Sequence, residues 1–163
     1  MTSETLTYRQ IKVEDILEVS NLVASVFNES VAPEYSSEGV QEFHRYIEPT
    51  AFRARFQTNH FSLITLVQTK VVGVIEIRGC NHVSLLFVAQ DYQRRGISKE
   101  LLFRAIKICQ GYESQPSEIS VNSSSFAVPI YEKLGFNRVG ERQIRNGIGF
   151  IPMVLKLTNQ NGG

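Results

Sequence analysis

Two arginines and a glycine stand at the start of an apolar helical pattern, in the stretch FVAQDYQRRGISKELLFRAIK (residues 87–107). The first N–H groups of a helix have no intrahelical acceptor and carry the positive end of the helix dipole, so they can bind an anion. Gly96 has no side chain to obstruct an approaching phosphate, and Arg94 and Arg95 add positive charge beside it. The pattern predicts a phosphate-binding turn, and a solvated Arg-Arg-Gly turn is the alternative interpretation.

Two other phosphate-binding motifs are excluded in this stretch. It lacks the Gly-Lys-Ser/Thr ending of a P-loop and two of the glycines of the GxGxxG dinucleotide fingerprint. Nucleotide hydrolysis and hydride transfer are therefore disfavoured. Cys80 and Cys109 have no Cys or His partners at metal-ligand spacing, so no metal site is predicted.

The length and composition indicate one globular domain. The chain has 163 residues, of which 42% are hydrophobic and 20% charged. We expect a single domain over residues 1–158 and a disordered tail over residues 159–163. No apolar run is long enough to cross a bilayer, and the N-terminus lacks the pattern of a secretion signal, so we expect a cytoplasmic protein without membrane association.

Charge is distributed unevenly along the chain. Residues 1–50 contain 3 Lys and Arg against 9 Asp and Glu, whereas residues 51–163 contain 14 against 7. This asymmetry favours a cationic partner near the first part and an anionic partner near the second. Ordinary solvated surfaces with offsetting charges would give the same counts.

The elements that must position the Arg-Arg-Gly turn are predicted from hydrophobic periodicity and β-branched residues. Strands are expected over residues 5–9, 61–67, 71–78, 83–88, 118–121, 137–139 and 150–157. Helices are expected from residue 14 onward, over residues 36–56 with an interruption at Pro49, and over residues 95–112 and 124–134. The helix after the turn should bury Ile97, Leu101, Ala105 and Ile108.

The element order predicts an α+β fold. The strands over residues 61–88 form an antiparallel meander, and the later strand–helix–strand crossovers make neighbouring strands parallel. The result is a mixed, mostly antiparallel sheet with flanking helices.

Two segments of the sequence resemble motifs of the GNAT superfamily of N-acetyltransferases. QRRGIS (residues 93–98) is similar to its acetyl-CoA-binding motif, with Ser98 where the family has a smaller residue. VNSSSFAVPIYEKLGF (residues 121–136) is similar to the later family segment, in which an Asn follows a strand and a helix ends with Tyr, three residues and Gly-Phe. The resemblance extends over about residues 6–157.

The resemblance implies that the strands over residues 83–88 and 118–121 splay apart and admit the pantetheine arm of acetyl-CoA as a substitute strand. Backbone groups of the first strand would pair with its amides, and one N–H would polarise the thioester carbonyl. The implied cofactor-binding residues are Leu86, Phe87, Val88, Gln93, Arg94, Arg95, Gly96, Ile97, Ser98, Lys99 and Asn122. For Asn122, a turn residue at the strand end is the equal alternative.

Two proton transfers are needed for transfer of an acetyl group to an amine. Tyr131 matches the general acid common in the family, because a phenol can reprotonate the departing thiolate; a core aromatic is the alternative. Glu76 is the candidate general base on a strand face shared with Val72 and Val74, and it also lies beside Val83 and Leu85 if Ile77 pairs with His82. An ordinary sheet-edge carboxylate, His82 as the base and a water chain remain alternatives.

The acceptor is predicted only as an amine, with small amines, polyamines, peptide N-termini and lysine side chains all open. Four carboxylates that would attract a cationic amine lie where the family builds its acceptor wall: Glu29, Glu34, Glu38 and Glu42. Aromatic residues that would line or underlie this pocket are Tyr35, Phe43, Tyr46 and Phe52.

Other functional classes are left with less support. A catalytically silent acyl-CoA-binding or regulatory module would keep residues 94–98 without needing Tyr131. A nucleic-acid-binding domain using Arg138, Arg142 and Arg145 is disfavoured, because no aromatic platform accompanies these residues. Homodimerisation through the strand over residues 150–157 is left open.

Overall fold

A computed structural model describes residues 4–112 and 116–158 of the chain. Its strands are β1 (Leu6–Gln10), β2 (His60–Val67), β3 (Lys70–Arg78), β4 (His82–Val88), β5 (Glu118–Ser123), β6 (Asn137–Arg138), β7 (Gln143–Arg145) and β8 (Ile148–Lys156). Its helices are α1 (Ile16–Ser30), α2 (Ser37–Tyr46), α3 (Pro49–Phe56), α4 (Ile97–Gln110) and α5 (Val128–Lys133). The predicted tail over residues 159–163 lies outside the described residues. No helix in the described ranges has the length and apolarity to span a membrane.

The strands form a mixed, mostly antiparallel sheet in the order β1-β2-β3-β4-β5-β8-β6, with β7 paired to β8. The antiparallel meander of β2, β3 and β4 and the parallel pairing of β4 with β5 confirm the predicted α+β class. One neighbour relation was not foreseen. β8 lies between β5 and β6 and runs antiparallel to both, so β6 and β5 do not pair.

The β7–β8 hairpin was also missed, although the sequence contains its signal. Asn146 and Gly147 form a two-residue loop between the paired residues Arg145 and Ile148, and both have positive φ, 53° and 79°. Asn-Gly is favoured in such turns because both residues tolerate this backbone conformation. The hairpin is anchored to the start of α2, where the Ser36 hydroxyl donates to the Gly147 carbonyl at 3.2 Å.

The two faces of the sheet carry separate hydrophobic clusters. α4 packs on one face, where Leu101 and Ala105 are fully buried, and α1 packs on the other face with Val19 and Val23. The predicted stripe of α4 is correct except at Ile108, which is 39% exposed. Leu102 and Cys109 complete the buried side of that helix.

The last crossover helix is shorter than predicted, because a serine turn precedes it. The Ser124 hydroxyl and carbonyl both accept hydrogen bonds from the N–H of Ala127, at 3.2 and 3.1 Å, so residues 124–127 form a turn and α5 begins at Val128. Pro129 is tolerated there because the first turn of a helix does not need its N–H.

Candidate functional site

A cleft opens where β4 and β5 separate. The two strands pair only at His82 with Ser120 and at Val83 with Val121, and they diverge toward the end of β4. The backbone after Val83 is therefore left without a β5 partner on that edge among the described residues. The expected pairing of Ile77 with His82 is wrong, since Ile77 pairs with Val83 and a register shift follows Glu76.

The cleft has a volume of about 730 Å³ and crosses the sheet from one face to the other. On one side it is lined by the start of α4 and by α5, and on the other side by α1 and α2. The predicted site residues that line it are Leu86, Phe87, Val88, Gln93, Arg94, Gly96, Ile97, Ser98, Lys99, Asn122 and Tyr131. Lining residues to which the sequence assigned no site role are Val26, Phe27, Ser30, Val31, Ser84, Leu85, Tyr92, Val121, Ser123, Ser124, Phe126, Ala127, Ile130, Lys133 and Leu134.

The start of α4 has the geometry of an anion cradle. Gly96 adopts the left-handed conformation with φ 80°, and apart from Gly96 and its two chain neighbours no heavy atom of the described residues lies within 4 Å of where its Cβ would stand. The first backbone hydrogen bond of the helix runs from the N–H of Glu100 to the Gly96 carbonyl at 3.0 Å. The N–H groups of Ile97, Ser98 and Lys99 precede this bond and have no intrahelical acceptor, and all three residues line the cleft.

The two arginines diverge. Arg94 has φ 64° and lines the cleft. Arg95 instead donates to the Asp91 carbonyl at 3.0 Å, lies 3.6 Å from the Glu4 carboxylate and stacks 4.8 Å from the centre of the Tyr92 ring. This placement corrects the expectation that both arginines face the phosphate site: Arg94 itself has the left-handed conformation, and the two adjacent side chains point in different directions.

Gln93 lines the cleft and also makes a contact within the protein. Its side-chain amide donates to the Val88 carbonyl at 3.0 Å. This bond ties the turn before α4 to the end of β4, so the cradle and the open strand edge keep a fixed relation to each other.

Tyr131 is buried in the wall of the cleft, with 7% of its surface exposed. Its ring packs edge-on against Phe136, at 5.3 Å between centroids. Burial raises the pKa of the phenol well above its ordinary value, so Tyr131 stays protonated at neutral pH. The predicted helix end is confirmed: Gly135 has φ 102°, and the N–H of Phe136 donates to the Tyr131 carbonyl at 3.0 Å.

Two apolar residues near Tyr131 are not core residues: Phe126 in the turn before α5, and Ile130 on α5. Phe126 and Ile130 are 43% and 41% exposed, and both line the cleft. Apolar side chains that are exposed inside a concave site are suited to contact a ligand. The helical spacing of these residues alone could not distinguish this arrangement from core packing.

Glu76 lies in a buried ion pair and not among the described residues that line the cleft. The residue is fully buried, and Arg55 donates to both carboxylate oxygens at 2.7 and 3.1 Å. The Tyr46 hydroxyl donates to the same carboxylate at 3.1 Å. This corrects the expectation of a carboxylate facing the cleft. Val72 and Val74 do not share a face of the sheet as expected, because a bulge lies in the β2–β3 pairing. Val72 packs in the cluster with α4, and Val74 packs in the cluster with α1.

His82 also lies away from the described cleft lining. Its Nδ1 is 2.8 Å from the Ser120 hydroxyl. Burial, with a smaller effect of Arg78, lowers the pKa of His82 from 6.5 to about 4. The ring is therefore neutral at physiological pH.

This shift predicts acid sensitivity. Between pH 6.5 and about 4 the folded state binds fewer protons at His82 than the unfolded chain. The contribution of the neutral His82 ring to the free energy of unfolding is therefore fully present above pH 6.5 and is lost as the pH falls toward 4. Urea denaturation over this range should show a smaller loss of unfolding free energy for His82→Gln than for the unsubstituted protein. Parallel pH profiles of the two proteins would contradict the assignment.

The acceptor-side expectations are met only in part. Tyr35 and Phe43 line the cleft, whereas Phe52 is buried in the cluster beneath α1. The four carboxylates at residues 29, 34, 38 and 42 do not line it, and Glu42 instead pairs with Arg45 at 2.7 Å.

Comparison with known proteins places these features in one family. A family model described as an acetyltransferase (GNAT) domain matches residues 31–157. The N-acetyltransferase YafP of Escherichia coli strain K12 is 31% identical over 81 residues, which are 50% of this chain and 49% of YafP. The chain thus spans about half the length of this curated relative.

Solved structures share the fold. A GCN5-related N-acetyltransferase from Rhodopseudomonas palustris is similar with a TM-score of 0.78 and 22% identity, covering 96% of this chain and 99% of that one. The PaiA N-acetyltransferase from Thermoplasma acidophilum, solved in complex with coenzyme A, gives a TM-score of 0.76 and 19% identity, covering 94% and 99%. At these identities the likeness concerns the fold.

Proposed function

Because the chain belongs to the GNAT family of acetyltransferases, we propose that it transfers the acetyl group of acetyl-CoA directly to the nitrogen of an amine. Members of this family use acetyl-CoA as their co-substrate. The observation that carries the proposal is the cleft between β4 and β5, which joins an open strand edge to an anion cradle at the start of α4.

The cofactor-binding role rests on complementary chemistry at the two ends of that cleft. The free N–H groups of Ile97, Ser98 and Lys99 match the oxygens of a pyrophosphate, and the Arg94 guanidinium adds charge. The pantetheine amides match the backbone of Leu86, Phe87 and Val88 on the open edge of β4.

The reaction needs one bond made and one broken. The neutral amine attacks the thioester carbonyl carbon, and a backbone N–H of β4 stabilises the oxygen as it gains negative charge. The C–S bond then breaks, and the thiolate takes the proton of Tyr131. We assign removal of the amine proton to water, which then reprotonates Tyr131, since no described residue lining the cleft is a carboxylate or a histidine.

A pair of arginine variants tests the cradle. Arg94→Ala should weaken binding of acetyl-CoA and of CoA about tenfold, because it removes a charge-assisted contact to phosphate. Arg95→Ala is the matched control, and its affinity should stay within about twofold of the unsubstituted protein, because its guanidinium is engaged by Asp91 and Glu4. Calorimetric titration measures both, and equal losses in the two variants would contradict this arrangement.

A further inference from the structure

The wall of the cleft opposite the cradle is aromatic. Phe27 stacks on Phe43 at 4.0 Å between ring centroids and meets Tyr35 edge-on at 5.3 Å, and Phe43 lies 5.9 Å from Phe87. All four rings line the cleft. We call Phe27, Tyr35, Phe43 and Phe87 the aromatic wall. Its surface favours an apolar or aromatic substituent on the acceptor.

The same cleft offers no counter-ion to a cation. Among residues 4–112 and 116–158, the charged side chains that line it are Arg94, Lys99 and Lys133, all positive. Glu34, the acidic neighbour of the aromatic wall, is solvent-exposed, and Arg142 offsets its effect on Tyr35. Arg94 and Lys99 belong to the cradle proposed to hold the cofactor's phosphates. A polycationic acceptor would therefore enter an apolar site whose described lining supplies no carboxylate, at an electrostatic cost.

The charge of the lining also constrains how basic the acceptor is. A strongly basic amine is almost wholly protonated at neutral pH and must lose a proton before it can attack. With no carboxylate or histidine in the described lining, this proton would have to pass to water. An α-amino group, with an ordinary pKa of about 8, already contains a sizeable neutral fraction at pH 7 to 8.

We propose, on the basis of the acetyltransferase function above, that the acceptor is a weakly basic primary amine carrying an apolar substituent of aromatic size. The aromatic wall binds the substituent, and the amine arrives uncharged at the thioester. Spermidine-like polyamines are poor acceptors of this site.

Three acceptor amines distinguish the effect of the acceptor's charge from the effect of its apolar substituent. Phenylalaninamide carries an α-amino group and a phenyl ring, glycinamide carries the same amine without the ring, and spermidine carries strongly basic amines. At pH 7.5 we expect kcat/KM for phenylalaninamide to exceed the values for both other amines about tenfold or more, since burial of a phenyl ring discriminates to at least this degree. A spermidine value equal to or above that of phenylalaninamide would overturn the inference, as would equal values for the two amides.

A charge introduced on α1 gives a second test. Ser30→Asp adds a carboxylate to the cleft lining and should raise the ratio of spermidine to phenylalaninamide turnover about fivefold, because it supplies the missing counter-ion. Ser25→Asp adds the same charge to an exposed position of α1 outside the lining and should leave the ratio unchanged. An unchanged ratio in Ser30→Asp would count against the inference.

Failure of the acetyltransferase function would look different. Acetyl-CoA binding is measured separately by calorimetry. Bound acetyl-CoA with no turnover of these three amines, of lysine or of peptides would overturn the proposed function and this inference together. Turnover that favours spermidine or lysine over phenylalaninamide would overturn the inference alone.

Discussion

Replacing Glu76 with Gln is expected to lower the free energy of unfolding by about 3 kcal/mol, the cost of leaving one partner of a buried ion pair uncompensated. The carboxylate is fully buried, and Arg55 keeps only 12% of its side chain exposed. The Arg55 guanidinium lies 3.8 Å from the centroid of the Tyr46 ring and 4.7 Å from that of Phe52. In the variant it stays in this buried position without a counter-ion.

The same network explains why the effect should extend beyond one contact. Arg55 also donates to the Tyr46 carbonyl at 2.6 Å, and the Tyr46 hydroxyl donates to Glu76. The ion pair thus fastens α2 and α3 to β3, beneath the acceptor side of the cleft. If the role of Glu76 is structural, Glu76→Gln should be less stable, but the molecules that remain folded at low temperature should still turn over substrate.

Glu42→Gln is the matched control, because Glu42 pairs with Arg45 at 2.7 Å but on the surface. Its unfolding free energy should change by no more than about 0.5 kcal/mol. Urea denaturation gives both values. A Glu76→Gln protein as stable as Glu42→Gln, yet inactive, would return Glu76 to the role of general base.

The second large effect is expected on kcat when the phenol hydroxyl of Tyr131 is removed. Tyr131→Phe should reduce kcat about 100-fold, because the departing thiolate loses its proton donor. Affinity for acetyl-CoA should change less than about twofold, since the ring and its packing on Phe136 are retained. Because burial raises the pKa of Tyr131, activity should not decline through loss of this proton as the pH rises to about 9.

Tyr92→Phe controls for removal of a phenol from the same cleft. Tyr92 lines it, but its hydroxyl donates to Glu4 at 3.4 Å and it takes no part in the proposed proton transfers. Its kcat should remain within about twofold of the unsubstituted protein. Single-turnover measurement of thioester loss compares the two variants, and equal rates would remove Tyr131 from the proton transfer.

Much of the fold could be predicted, because its signals are local. Dense β-branched residues marked β2, β3 and β4, and Gly96 marked the start of α4. The splayed strands and the site residues around residues 93–98 followed from motif resemblance, and the residues of that motif line the cleft with the exception of Arg95. The roles of those residues stay predictions until they are tested.

The remaining features depend on tertiary geometry that no local pattern encodes. The partner of Glu76 is Arg55, which lies 21 residues away and reaches it only once α3 is packed on the sheet. Whether Arg94 or Arg95 faces the cleft is decided by the positive φ of one residue. Phe27 is a buried residue of α1, and its ring also forms part of the aromatic wall, a double role that the sequence does not indicate.

The most direct test of the central claim is incubation of the purified protein with acetyl-CoA and a primary amine, with the products identified by mass spectrometry. The account predicts one N-acetylated amine formed for each CoA released, with Tyr131→Phe strongly impaired. Acetyl-CoA bound tightly, with neither CoA release nor acetylated amine across small amines, polyamines and peptides, would contradict it and identify the chain as a silent acyl-CoA-binding module.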